Sequence, residues 1–97
     1  VAKVEIVGFT KRPKGDIREA VAKAVKGRLR EVEISISRVR KSLSGFEAEY
    51  GMSTERFYGR YTAGELEEKM DFMEWRACKE ILDDLLGEKG LLEEIAS

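Results

Sequence analysis

The sequence predicts a mainly α-helical domain with one short N-terminal β-strand, an α+β class, in which a long helix and a closing helix form a self-associating αα-hairpin. Three observations predict it. Apolar residues fall on eight consecutive heptad positions, Val25, Leu29, Val32, Ile36, Val39, Leu43, Phe46 and Tyr50. Seven of the eight aromatics crowd into one block from Phe46 to Trp75, punctuated by Gly45, Gly51, Gly59 and Gly64. The opening VAKVEIVGF is β-branched and alternates Val4 and Ile6 with Lys3 and Glu5.

The chain reads as a single domain, 1–97, in four parts. Residues 1–15 are a strand followed by a basic loop, in which Pro13 and Gly15 break structure among Lys11, Arg12 and Lys14. Residues 16–51 are the heptad helix, with Asp16 as its N-cap and Gly51 as the residue that ends it. Within it, Val32, Ile34 and Ile36 alternate with Glu33 and Ser35, so 32–36 could also be strand; the heptad explains the longer segment. Gly45 inside that helix costs about 1 kcal/mol relative to Ala.

Residues 52–86 hold a short helix capped by Ser53 and then the closing helix. Thr62-Ala-Gly-Glu65 fits a capping box, so the closing helix is expected from about Gly64 to Leu86. One of its faces carries Leu66, Met70, Met73, Ala77 and Ile81. A neighbouring face carries Phe72, Trp75, Cys78, Leu82 and Leu86, and a stripe this wide implies more than one packing partner. Gly87 and Gly90 are expected to stop the helix, leaving 87–97 as a tail.

Composition narrows the function classes. The chain lacks His, Asn and Gln and is 38% charged, a bias reported for hyperthermophile proteins, and the source is read that way. No stretch approaches the roughly 18 apolar residues of a membrane span, and no signal peptide opens the chain. A cytoplasmic protein with no membrane association is expected. Net charge is −1, but residues 1–46 carry twelve Lys/Arg against five Asp/Glu, while 47–97 carry six against fourteen. Either one half meets an anion and the other a cation, or the halves face each other within a chain or across a dimer.

Catalysis finds little support. Without histidine, the usual triads and imidazole-based zinc sites are excluded within one chain. Cys78 reads as a small buried hydrophobe. Glu67, Asp71 and Glu74 have helical spacing and could hold a cation, but acids are also favoured on a solvated face at a helix N-terminus. No enzyme activity, cofactor or metal is expected.

Two partner classes remain. The basic loop with Lys11, Arg12 and Lys14, continued by Arg18, Lys23, Lys26, Arg28 and Arg30, would suit contacts to a nucleic-acid backbone. Strand, loop and helix over residues 2–43 resemble ribbon-helix-helix repressors, although Gly27-Arg28-Leu29 lacks the small hydroxyl residues of that family's inter-helix turn.

The second resemblance lies in the aromatic block. Tyr50-Gly51-Met52-Ser53, then Glu55 and Phe57, then Gly64-Glu65-Leu66, then Asp71, Phe72, Glu74 and Trp75 resemble a segment of small prokaryotic antitoxin-like proteins encoded beside toxin-like genes. The pattern lies in the thirty residues Phe46–Trp75 and departs from the usual one at Glu67-Glu68-Lys69-Met70. The resemblance implies a non-enzymatic module that binds a toxin protein through its acidic half, with DNA autoregulation as a further role open to its basic half. The rings of the block either close the hairpin or form a partner hot spot, with Tyr58 and Tyr61 the candidates for direct contact. The expected partner-binding residues are Tyr58, Tyr61, Glu67, Glu68, Asp71 and Glu74; those for nucleic acid are Lys11, Arg12, Lys14 and Arg18. A ribbon-helix-helix-like DNA-binding dimer is the alternative.

Overall fold

The computed structural model describes residues 14–97. They form three helices: α1 (Lys14–Tyr50), α2 (Thr54–Thr62) and α3 (Met70–Ala96). No strand occurs among the described residues, so the α+β expectation is corrected to an all-helical architecture. The strand expected at 1–9 lies outside them. Residues 32–36, whose alternation is compatible with strand, are helical, because Val32 and Ile36 both lie on the heptad seam and are buried at 0% and 7% exposure.

α1 and α3 run antiparallel, as the expected hairpin requires. Tyr50 meets Asp71 at one end, and further along the hairpin Arg28 meets Glu88 at 2.6 Å and Glu33 meets Lys89 at 3.8 Å. The seam residues of α1 face α3 within one chain, with Val32, Ile36 and Leu43 as its buried members. The body is long and thin, 60 × 29 × 20 Å, with a radius of gyration of 20.3 Å. A compact chain of this length would have a radius near ~13 Å. Such a shape exposes much side surface and confines the densest core to one end.

That end is built by α2, which folds across the mouth of the hairpin. Gly51 closes α1 at φ 63, a left-handed conformation, and donates its N–H to the Glu47 carbonyl at 2.9 Å. The Ser53 hydroxyl then caps α2 by accepting from the Arg56 N–H at 3.1 Å. Both features match expectation. The capping box does not. Thr62 belongs to the last turn of α2, and its hydroxyl donates back to the Tyr58 carbonyl at 2.7 Å. Gly64, at φ 78, ends α2 in a Schellman arrangement: Gly64 N–H to Tyr61 carbonyl and Glu65 N–H to Arg60 carbonyl. The glycine expected at the start of one helix is instead the stop signal of the helix before it.

Helix α3 therefore begins later than expected, with Lys69 in the N-cap position, extended and without a side-chain cap. Residues 65–69 form a non-helical connector. The helix also ends later, running through Gly87 and Gly90 to Ala96, so the expected 87–97 tail is helical up to Ala96. The two glycines weaken the helix by about 1 kcal/mol each. They are flanked by residues anchored on α1: Glu88 to Arg28 and Lys89 to Glu33. Tertiary contact overrides local propensity there. Asp16, expected as the N-cap of α1, lies in its first turn, where its charge still suits the helix dipole.

Candidate interaction surface

The closed end accounts for nearly every ring in the aromatic block. Phe57 and Trp75 are fully buried and stack face to face, with centroids 3.9 Å apart and planes 3° apart. Phe46 and Tyr50 stack on Trp75 at 5.6 and 5.8 Å, and Phe72 meets Tyr50 edge-on at 5.1 Å. Offset and edge arrangements of this kind add to area burial. The polar atoms in this core are paired. The Trp75 indole N–H donates to the Thr54 hydroxyl at 3.0 Å, and the Thr54 backbone N–H donates to the Glu47 carboxylate at 2.7 Å. Lys69 places its ammonium 4.8 Å from the centroids of both Tyr50 and Phe72.

This packing decides the state of the six expected partner residues. Tyr58 packs against the core and donates to Glu80 at 2.9 Å, with the Lys79 ammonium 4.9 Å from its ring. Tyr61 stacks on Phe57 and donates to Glu68 at 2.9 Å. Asp71 accepts the Tyr50 hydroxyl. Glu67 and Glu74 are exposed and in no ion pair among the described residues. Because Glu67 lies on the connector, the expected single helical face of Glu67, Asp71 and Glu74 does not form. No acidic cluster able to hold a metal occurs among the described residues.

The Tyr58 and Tyr61 phenols are pushed up by donating to Glu80 and Glu68, and then by burial. Tyr50 is raised in the same way by Asp71. Hydrogen bonding from Arg28 lowers Glu88. Burial raises the Cys78 thiol, and the charge of Glu74 adds to it, the opposite of what an activated nucleophile needs.

What remains outward is an apolar stripe on α3. Met70, Met73 and Ile81 are 66%, 38% and 48% exposed, and Ala77 between them is exposed as well. Their spacing of three, four and four residues puts them on one helical face, turned away from the Trp75 side. Glu74 and Asp84, both exposed, follow Met70 by four and Ile81 by three residues, so acids are set into the same stripe. The sequence pattern marks these apolar residues as one face; which of α3's two apolar faces turns inward is decided by the aromatic lock.

On the basic half, Lys11 and Arg12 lie outside the described residues, and Lys14 opens α1. Arg18 is exposed. α1 runs unbroken through Gly27-Arg28-Leu29, where a ribbon-helix-helix arrangement needs a turn. Arg28, counted with the basic patch, is bound to Glu88 and Glu31. No described helix is long and apolar enough to cross a membrane. Comparison of the chain with protein-family models, with curated proteins and with solved structures finds no match.

Proposed function

We propose that the chain is a non-enzymatic, antitoxin-like interaction module that binds a basic protein partner through the outer face of α3. The observation that carries this reading is the stripe Met70, Met73, Ala77 and Ile81, left without a partner among the described residues and set among Glu74 and Asp84. Methionines adapt to irregular partner surfaces, and acids around an apolar centre steer and select a cationic partner. A ribonuclease toxin with a basic RNA-binding surface has the required chemistry. Helix α3 suits the role in charge as well, with eight Asp/Glu against three Lys/Arg. Relative to the sequence expectation, the site moves from the tyrosines and Asp71, which are engaged in the fold, towards Glu67, Glu74 and the stripe beside them.

The test is co-purification of the chain with the product of its neighbouring gene. Met73→Asp and Ile81→Asp should each release that protein while leaving helical content unchanged. Retention of the partner by both variants would refute the assignment. A salt-dependent shift of DNA by the chain alone would favour the nucleic-acid alternative, in which the acidic half serves dimerisation.

A further inference from the structure

Helix α1 outruns α3. It has 37 residues against 27, a difference of about 15 Å at the helical rise. The closed end is sealed by α2, so the excess length falls at the open end. There the apolar series continues on α1 as Ile17, Val21 and Val25. With Ala22 and with Ile95 of α3 these residues line an open groove of about 300 Å³. Val21 and Ile95 are 54% and 65% exposed, and Leu91, one turn before Ile95, is 64% exposed.

This end of the hairpin carries basic residues on α1 and acidic ones on α3. Arg18 and Lys26 of α1 line it. The last turns of α3 carry Glu93 and Glu94, next to the negative end of the helix dipole. Across the hairpin these groups make no ion pair among the described residues; Glu93 meets only Lys89 of its own helix, at 4.0 Å. One end of the molecule thus offers an apolar groove with exposed aliphatic side chains, Arg18 and Lys26 along it, and Glu93 and Glu94 in the same closing turns of α3 as Ile95. A surface holding both members of each complementary pair suits a twofold contact, in which residue i meets j and j meets i.

We infer that the open end is an interface with a second copy of this chain. Two hairpins meet end to end about a twofold axis, and Val21 and Ile95 of each enter the groove of the other. Arg18 and Lys26 of each oppose Glu93 and Glu94 of the other. The net charge of −1 puts no long-range repulsion between copies. The outer stripe of α3 is a different surface, so this inference stands or falls independently of the partner reading.

Sedimentation equilibrium of the full chain tests it. The wild type should run at twice the 11.0 kDa chain mass. Val21→Asp should reduce it to a single chain with unchanged helical circular dichroism, whereas Met73→Asp, on the α3 stripe, should remain a dimer. Should Val21→Asp fail to fold, the charges decide. Arg18→Glu with Lys26→Glu should weaken the dimer about tenfold at low salt, and adding Glu93→Lys with Glu94→Lys should restore it. A wild type that sediments as a single chain would overturn the inference. So would a dimer indifferent to Val21→Asp, or to the charge reversals.

Discussion

The two ends of the hairpin solve the same problem with different chemistry. At the closed end, aromatic rings bury against one another, a glycine with positive φ makes each tight turn, and tyrosine and indole donors all find acceptors. At the open end, small aliphatic residues line a groove that nothing within the described chain fills. Among the described residues the hairpin is therefore locked at one end and open at the other. The aromatic block holds the fold, while the open end and the outer face of α3 leave aliphatic side chains and methionines exposed.

Substitutions at the lock should produce the largest effects. Trp75→Ala removes a fully buried side chain that three other rings stack upon, and should cost about 3–5 kcal/mol in urea unfolding. Val21→Ala at the open end, by contrast, should leave the unfolding midpoint of dilute, monomeric protein nearly unchanged. Thr54→Val is a subtler cut at the same lock. It keeps the shape but leaves the buried indole N–H without an acceptor, for an expected loss of about 1–3 kcal/mol.

Glycines sharpen the comparison further. Gly51→Ala forces a side chain into φ 63 at the turn into α2 and should destabilise by about 1 kcal/mol. Gly45→Ala, in mid-helix with open space where its Cβ would stand, should stabilise by about 0.5–1 kcal/mol. Thermal midpoints of the two variants should move in opposite directions.

The smallest effects are those of pH, and they divide the molecule by region. The Tyr58 and Tyr61 phenols are raised above their ordinary value of 10.0 in the folded chain. Their contribution is thus fully present below pH 10 and lost as pH rises through the folded values, loosening the closed end. Glu88 is lowered below its ordinary 4.5 by Arg28. Its contribution is present above pH 4.5 and lost as pH falls through the folded value, weakening the α1–α3 contact nearer the open end. Amide exchange along the chain at high and low pH should show this division, and Arg28→Ala should remove the Glu88 contribution to the acid response.

Much of this architecture is legible in the sequence. The heptad from Val25 to Tyr50 announces the seam, because alternating steps of three and four residues keep apolar side chains on one side of a helix and of no other regular structure. Gly51 and Ser53 announce the break after it, through a left-handed turn and a side-chain cap that need no tertiary context. Gly87 and Gly90 mislead because the helix through them lies along α1, where Glu88 and Lys89 meet residues more than fifty positions away. Thr62-Ala-Gly-Glu65 misleads because the same four letters serve the end of one helix as readily as the start of another. The acidic surface is legible as composition. The pairing of Tyr50 with Asp71 and of Tyr58 with Glu80 is not, since those partners are 21 and 22 residues apart and brought together only by the closed hairpin.

Trp75, the only tryptophan, reports directly on the lock. Fluorescence of the native chain, with and without the product of the neighbouring gene, tests whether the aromatic block is the closure of the hairpin. Blue-shifted emission, resistant to iodide and unchanged on adding that product, is the expected result. Red, iodide-quenched emission that shifts blue on binding would contradict it, and would make the rings themselves the binding site.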